Sequence, residues 1–258
     1  MAEHESPEAF YDALAPEYDA IFDDWWEAAL EHGRIIDSVL QNAGVASGVR
    51  LLDCACGIGT QALPLAQLGY HVTGTDISSN AVARARAEAE ARSIPAVFTA
   101  ADMRVVDQTV PGAFGAVIAC DNSVPHLLDD TDLDLALAAV RSALVPGGVF
   151  LASIRDYDAL RTERPTGTPG RVRVRAGGRE ISGQAWEWRE DGERMRIHLY
   201  VLREQEQGWT TEVHTTHYRA LRRADFTAAL ERARDDDIRW WFPEESGYYQ
   251  PIVTASAW

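Results

Sequence analysis

The hydrophobic positions of the chain change their period several times. Up to about Ala43 they recur near helical spacing, as at Trp25, Ala29 and Ile36, and predict helix. After that, short apolar runs alternate with helical stretches. The runs are VRLLDC, HVTGTD, AVFTAAD, FGAVIACD and VFLASI, and residues 61–68, 78–92 and 130–144 are the helical stretches. This alternation predicts βαβ units and therefore an α/β fold with a doubly wound, mainly parallel sheet.

The pattern changes beyond Arg155. Residues up to about Gly170 are rich in Pro, Gly and Thr, and predict a loop or lid. We expect a strand at residues 209–219 and a helix at residues 224–234, with DIRWWF and QPIVTASAW as closing strands. The chain then divides into three predicted parts. They are an N-terminal helical arm (1–44), a core built on the parallel sheet (45–155 plus 221–258) and an inserted antiparallel β lid (156–220).

The lid contains a strong hairpin signal. Asp191-Gly192 lies between two β-like runs, and this dipeptide favours a two-residue connection. Such a turn fixes the register of the two strands: it pairs Trp188 with Met195 and Trp186 with Ile197 on one face, and Glu187 with Arg196 on the other. The hairpin is therefore predicted to have one apolar and one charged face.

Composition narrows the possible partners. The 258 residues include 24 cationic and 40 anionic side chains, a formal net charge of −16, which repels phosphate backbones and anionic lipid. Every cation is an arginine, because the sequence contains no lysine, and this excludes Schiff-base chemistry on lysine. The apolar runs are too short to cross a bilayer, and the start MAEHESPEAF is acidic where a secretory signal is basic. We expect a cytoplasmic monomer or homodimer with a small-molecule substrate and no nucleic-acid or membrane partner.

Three cysteines, Cys54, Cys56 and Cys120, are too few and too irregularly spaced for a disulfide framework or a zinc motif. We expect reduced, buried thiols that pack at strand ends. The histidines are scattered along the chain, so no metal site is predicted.

Gly57-Ile58-Gly59 lies between a predicted strand and a helix, where glycines let the backbone approach a ligand closely. These glycines alone leave NAD open as the ligand. Asp53, at the end of the preceding strand, favours a cationic group such as a sulfonium over a pyrophosphate. Asp76 ends the second strand, where a carboxylate can accept hydrogen bonds from ribose hydroxyls. Asp102-Met103 ends the third strand and could receive an adenine.

The segments DCACGIGT, TGTD, ADMR and CDN together resemble the class I S-adenosylmethionine-dependent methyltransferases, which have a Rossmann-like core. Further blocks resemble the glycine and sarcosine N-methyltransferase group, namely YDALAPEYDAIFDDWW, CDNSVPHLL, SIRDYD, QAWEW, THYRALRR and PEESGYYQPIV. The likeness extends over nearly the whole chain. It implies that S-adenosylmethionine is the cofactor and S-adenosylhomocysteine the product.

The resemblance also implies site residues. The cofactor-binding residues expected from it, together with the acidic positions above, are Tyr18, Trp25, Arg34, Asp53, Gly57, Gly59, Asp76, Ile77, Asp102, Met103, Cys120 and His126. Arg34 is included although that group tends to carry an arginine nearer to Glu31. The residues matched to the acceptor site are Asn122, Arg155 and Tyr249. They are predicted to be catalytic together with His126, which is the nearby candidate for accepting a proton.

Methyl transfer from a sulfonium is an in-line displacement that depends on orientation more than on a strong base. Arg155 could hold a carboxylate in two bonds, or it could instead form an ion pair with Asp156 or Asp158. Asn122 and Tyr249 could orient the nucleophile, and His126 could accept a proton. We therefore expect N-methylation of an amino-acid-like amine. The alternatives are N- or O-methylation of a secondary metabolite or heterocycle, an NAD-dependent oxidoreductase, and a module that binds the cofactor without turnover.

Overall fold

Five parallel strands form the centre of a seven-stranded sheet in the computed structural model, which describes residues 6–175 and 177–257. They are β1 (Arg50–Asp53), β2 (His71–Asp76), β3 (Val97–Ala100), β4 (Phe114–Ala119) and β5 (Leu144–Ser153). Of the closing strands, β11 (Ile252–Ala257) pairs antiparallel with β5, and β10 (Asp235–Trp241) pairs antiparallel with β11 at the edge of the sheet. The strand order β10-β11-β5-β4-β1-β2-β3 confirms the predicted fold class. The predicted last strand reaches Trp258, which lies outside the described residues.

Helices cover both sides of this sheet. They are α1 (Pro7–Leu14), α2 (Trp25–Asn42), α3 (Ala62–Gln67), α4 (Ser79–Arg92), α5 (Val106–Thr109), α6 (Asp130–Ala143), α7 (Tyr157–Glu163), α8 (Arg223–Arg232) and α9 (Pro243–Ser246). Side-chain caps set several starts, because a free oxygen satisfies a first-turn amide. Ser78 accepts from the backbone of Ala81 at α4, and Asp129 accepts from Asp132 at α6. No described helix has the length and apolarity that crossing a membrane would require.

A second, antiparallel sheet contains β6 (Gly167–Arg175), β7 (Gly178–Trp188), β8 (Arg194–Gln205) and β9 (Gly208–Arg219) in that order. The predicted hairpin register is confirmed at all three pairs, Trp188 with Met195, Trp186 with Ile197 and Glu187 with Arg196. Met195 and Ile197 are buried in the same apolar cluster as β4 and β5. The second sheet therefore packs against the first.

The predicted loop between residues 156 and 170 is wrong. Asp156 caps α7 by accepting a hydrogen bond from the backbone of Ala159, and Tyr157 anchors that helix in the core. Strand β6 then begins at Gly167. Strand β6 is stabilised by pairing with β7 and not by burial of its own residues. Its Pro and Gly content therefore predicted a loop where the chain forms a strand.

The N-terminal helix is also interrupted. A 3₁₀ segment, Ala15–Ile21, follows α1, and Asp24 caps α2 with two backbone hydrogen bonds. We call residues 6–24 the arm. The arm lies against the second sheet, where Phe10 and Leu14 pack on Leu199, and Ser182 donates a hydrogen bond to the carbonyl of Ala20. The division into three parts with the boundaries given above stays a prediction.

One close approach fixes α2 beside the glycine loop. Gly33 packs directly on Pro64 of α3, where an added Cβ would lie 2.5 Å from the proline Cβ. A glycine inside a helix costs about 0.5–1 kcal/mol relative to alanine, so this one is explained by packing and not by helix propensity.

We expect Gly33→Ala to lower the free energy of unfolding by about 1–3 kcal/mol, because overpacking outweighs the gain in helix propensity. Urea unfolding followed by circular dichroism measures the change. Glu31→Ala, at an exposed position of the same helix, is the control and should leave stability nearly unchanged. A G33A protein at least as stable as the wild type would contradict the packing argument.

Candidate cofactor crevice and active site

A crevice of about 360 Å³ opens at the carboxyl ends of the parallel strands. Ligands of doubly wound sheets bind at this edge, where the strand order reverses between β1 and β4. The predicted cofactor residues that line it are Tyr18, Gly57, Asp76, Ile77, Asp102, Met103, Cys120 and His126. Five parts of the sequence that are far apart in the chain therefore meet as the resemblance implied.

The other predicted cofactor residues do not line the crevice. Trp25 is buried behind it and donates a hydrogen bond from Nε1 to Oγ1 of Thr60, which does line it, at 3.0 Å. Gly59 has φ +95°, and a Cβ there would collide with Leu63 at 2.8 Å, so its role is to shape the loop. Arg34 is exposed on α2, and the structure does not bring it to the crevice.

Two buried carboxyl groups lie at the crevice, Asp76 in its lining and Asp53 next to the lining residue Cys54. Asp76 accepts hydrogen bonds from the backbone of Gly57 at 2.8 Å and of Ser78 at 2.9 Å. Asp53 is 1% exposed, and its Oδ2 has no hydrogen-bond partner. Burial raises the pKa of both groups, and for Asp53 the charges of Asp76 and Asp121 add to the effect. A cationic ligand bearing hydroxyls fits these residues, since it would relieve the unpaired charge.

Asp102, predicted to accept a hydrogen bond from adenine, already has a protein partner, Arg104. Its carboxylate accepts hydrogen bonds from the side chain and backbone of Arg104, and Arg104 also donates to Asp132 at 2.9 Å. Burial alone would raise its pKa, but the bonds from Arg104 hold the pKa of Asp102 below its ordinary value. Asp102 and Met103 both line the crevice, so the predicted adenine site keeps its position while its carboxylate has a second partner.

Beyond β4 the backbone turns through two left-handed residues, Asp121 with φ +55° and Asn122 with φ +67°. Such conformations in non-glycine residues cost of order 1–3 kcal/mol and concentrate at functional sites. The Oδ1 of Asn122 accepts a hydrogen bond from the backbone of Arg155 at 3.1 Å, which ties the end of β4 to the end of β5. The Nδ2 of Asn122 is buried without a hydrogen-bond partner.

Arg155 follows β5 and lies between aromatic rings. Its guanidinium carbon is 4.9 Å from the ring centroid of Trp186 and 5.4 Å from that of Tyr218. Its Nη2 donates to Oε1 of Gln184 at 3.2 Å, while its Nη1 is buried and has no partner. The guanidinium is therefore desolvated, held in place and only partly hydrogen-bonded.

The alternative ion pair of Arg155 with Asp156 or Asp158 is wrong. Arg223 forms ion pairs with both carboxylates, and its Nη1 lies 2.6 Å from Asp156 and 3.4 Å from Asp158. Within residues 6–175 and 177–257, no carboxylate forms an ion pair with Arg155.

His126 is held by the arm. Its Nε2 is 3.0 Å from the hydroxyl of Tyr11, whose hydroxyl is also 3.4 Å from that of Tyr218. Burial, and after it the charge of Arg155, lowers the pKa of His126 to about 3. The imidazole is therefore neutral at pH 7, but it is a weak proton acceptor, and this argues against the predicted role as a base.

Tyr249 is 57% exposed, yet its hydroxyl donates to Oδ1 of Asp121 at 2.8 Å. Tyr248 donates to the same oxygen, and Nε2 of Gln61 donates to Oδ2 at 2.8 Å. Asp121 itself lines the crevice. Sequence reasoning missed Asp121, Gln61 and Tyr11, although a carboxylate directly after a buried strand was the same signal that identified Asp53 and Asp76.

All three cysteines are unpaired and buried, as predicted, and Cys54, Cys56 and Cys120 line the crevice floor. Burial raises the pKa of each thiol. In the described part of the chain, one group has metal-ligand spacing that the sequence did not reveal: Glu17, Glu212 and His214. Arg203 already forms ion pairs with both glutamates of that group.

Comparison with known proteins agrees with this geometry. A family described as Methyltransferase domain matches residues 51–148, which carry the glycine loop and the strand ends of the crevice. The chain contains a class I S-adenosylmethionine-dependent methyltransferase domain. S-adenosylmethionine is the cofactor of such a domain, and the NAD-dependent alternative is thereby contradicted.

The methyltransferase domain has both sequence and structural relatives. A glycine/sarcosine N-methyltransferase of Halorhodospira halochloris is 29% identical over 153 residues, which cover 59% of this chain and 56% of that protein. The chain thus spans about half the length of the curated relatives it matches.

Solved structures match over more of the chain. An amino pentose methyltransferase from Micromonospora echinaspora covers 95% of this chain and 97% of its own, with a TM-score of 0.75 and 21% identity. A sugar N-methyltransferase from a Streptoalloteichus species covers 90% of this chain and 87% of its own, with a TM-score of 0.72 and 20% identity. At these identities the likeness shows the fold.

We expect Asp76→Asn to weaken the binding of both S-adenosylmethionine and S-adenosylhomocysteine by about 10- to 100-fold, because it removes a charged acceptor from the loop amides and the ribose. Isothermal titration calorimetry measures both affinities. Asp37→Asn, which removes a carboxylate bonded to Tyr70 on the outer side of α2, should leave them unchanged. Equal affinities for D76N and wild type would refute the assignment.

The low pKa of His126 predicts a pH dependence of stability. Between its ordinary value of 6.5 and about 3, the unfolded chain binds a proton that the folded chain does not, so the free energy of unfolding falls as the pH falls. From pH 7 to pH 5 this contribution is up to about 2 kcal/mol. Urea unfolding of His126→Gln should show a smaller loss over that interval, whereas the exposed His71→Gln control should follow the wild type.

Proposed function

We propose that the protein transfers a methyl group from S-adenosylmethionine to the nitrogen of a small amine that carries a carboxylate, as in glycine or sarcosine. The observation that supports it is the Nη1 of Arg155, which is buried, unpartnered and free of carboxylates among the described residues. Leaving a buried guanidinium partly unpaired costs free energy, and a ligand carboxylate would supply the missing acceptor.

The residues around the crevice orient the methyl donor and the acceptor relative to each other. Bound S-adenosylmethionine supplies an activated methyl group on a sulfonium. Asp76 lines the crevice and Asp53 is buried next to it. Burial raises the pKa of both carboxyl groups, and a bound cation would favour their ionised forms. Trp186 and Tyr218 fix the plane of the Arg155 guanidinium, and Asn122 fixes the backbone that carries it. Holding two reactants in a near-attack geometry lowers the barrier by about 7–11 kcal/mol, so a strong base is not required of His126.

A second candidate keeps the reaction and changes the acceptor. The amino pentose and sugar N-methyltransferases cover more of this chain than the glycine/sarcosine relatives do, and the likeness includes the region of the second sheet. In this case the protein methylates an amine or hydroxyl of a sugar or other secondary metabolite, and Arg155 binds a phosphate or carboxylate elsewhere on that molecule.

We expect Arg155→Met to lower kcat/KM for glycine and sarcosine by about 100-fold or more, mainly through KM, since it removes the partner of the carboxylate. Arg155→Lys should recover part of the loss, because it keeps the charge but not the two-bond fork. Transfer of labelled methyl from S-adenosylmethionine measures the rates. Arg223→Met, which removes a neighbouring arginine already paired with Asp156 and Asp158, is the matched control and should retain activity.

Ethanolamine tests the role of the carboxylate, since it offers an amine without an anion. R155M should change its rate little. No methylation of glycine, sarcosine or ethanolamine by the wild type would overturn the amino-acid assignment. Methylation of an amino sugar in the same assay would favour the second candidate.

A further inference from the structure

Two opposite charges lie at neighbouring strand ends without neutralising each other. Arg155 follows β5, and its guanidinium contacts aromatic rings and Gln184. Asp121 follows β4, and its carboxylate accepts hydrogen bonds from the neutral groups of Gln61, Tyr248 and Tyr249. Across the part of the chain that the structure describes, neither residue forms an ion pair. Other arginines nearby do, for example Arg104 of the crevice with Asp102, and Arg84 of α4 with Asp19 of the arm.

The turn that follows β4 holds the two charges in separate positions. The backbone N–H groups of Asp121 and Asn122 are fixed, because they donate to the hydroxyl and to the carbonyl of Ser153 at 2.8 and 3.1 Å, respectively. The Oδ1 of Asn122 holds the backbone of Arg155. Both turn residues are held in left-handed conformations that an unconstrained chain would leave. The structure therefore maintains a separated pair of charges at a backbone cost.

Asp121 has room for one more donor. An ionised carboxylate offers about four lone-pair sites. Two tyrosine hydroxyls bind Oδ1, and one amide binds Oδ2, so one site on Oδ2 stays free. Asp121 lines the cofactor crevice. Its charge raises the pKa of Tyr18 after burial, and that of Asp53 after burial and the charge of Asp76.

Tyr249 lies within the influence of both charges. Burial of its hydroxyl and then the charge of Asp121 raise the pKa of Tyr249, whereas the charge of Arg155 lowers it. Its hydroxyl donates to Oδ1 of Asp121 at 2.8 Å, and Asn122, the next residue, accepts a hydrogen bond from the backbone of Arg155 at 3.1 Å, so the three residues lie at adjoining strand ends. Tyr249 is 57% exposed, so this end of the site has access to solvent.

We propose that Asp121 binds the ammonium group of the acceptor while Arg155 binds its carboxylate, so that the site selects a zwitterion. This inference rests on the proposed function and adds a second charged contact to it. A zwitterion compensates both unpaired charges at once, whereas a simple amine or a simple acid compensates one and leaves the other desolvated. Asp121 thus positions the nitrogen and takes its proton, and the lone pair that this leaves displaces the methyl group from the sulfonium of S-adenosylmethionine to give S-adenosylhomocysteine.

The test compares Asp121→Asn with the wild type. We expect KM for glycine and sarcosine to rise about tenfold or more, since the charged partner of the ammonium is lost while the side-chain shape is kept. Inhibition by acetate, which has the carboxylate but no ammonium, gives the specific readout. In the wild type, glycine should bind more tightly than acetate, and in D121N this preference should fall by a similar factor.

Two further variants separate charge from structure. Tyr248→Phe removes a donor to the same carboxylate but keeps the carboxylate's charge, so the preference for glycine over acetate should persist even if the melting temperature falls. Asp121→Glu should restore part of the preference lost in D121N. Calorimetry with S-adenosylhomocysteine, which lacks the sulfonium charge, checks that the cofactor crevice of each variant is intact.

The outcomes distinguish the two proposals. If the wild type methylates glycine or sarcosine and D121N keeps the wild-type KM and the glycine preference, the role of Asp121 is wrong and the proposed function stands. If Y248F loses the preference as fully as D121N, the carboxylate acts only as a structural link and the inference is also overturned. If the wild type methylates no amine, the proposed function fails first.

Discussion

The convergence of parallel strand ends at one edge of the sheet is the constraint on which the site depends. β1, β2 and β4 each end in or beside an aspartate, and the sheet geometry brings Asp76 and Asp121 into the crevice wall, with Asp53 buried next to the lining residue Cys54. Like charges so close together, partly out of water, repel one another, and the raised pKa of Asp53 reflects this after burial itself. A cationic ligand removes that repulsion, so stability and binding are linked through the same three groups.

The arm and the second sheet hold each other in place. Asp19 in the arm pairs with Arg84 from α4 and Arg175 from β6, at 2.9 and 2.7 Å. Arg173 of β6 donates to arm carbonyls, and Glu17 bonds with His214 of β9. Although burial alone would raise it, the bonds from Arg175 and Arg84 hold the pKa of Asp19 below its ordinary value. The contacts are mostly polar, and they place Tyr11 and Tyr18 in the crevice wall.

Much of this could be read from the sequence, because local pattern and turn chemistry decide it. The alternation of apolar runs gave the order of the parallel strands, and Asp191-Gly192 gave the register of the hairpin. Strand β6 was missed because tertiary contacts with β7 and the arm stabilise it, and such contacts cannot be predicted from local sequence. Its alternation of arginine and valine was nevertheless a usable signal. Arg34 and His126 show what could not be predicted. The exposure of Arg34 and the lowered pKa of His126 depend on neighbours that are distant in the sequence.

The arm also makes the crevice sensitive to salt. Pro7, Tyr11 and Tyr18 form part of the wall around the crevice, so a displacement of this segment changes the shape of that wall. The bonds that resist such displacement are largely between charged groups near the surface, and dissolved ions weaken them. The position of this wall, and with it the fit of the crevice to its ligand, then depends on ionic strength, although the floor of the crevice is built on the parallel strands.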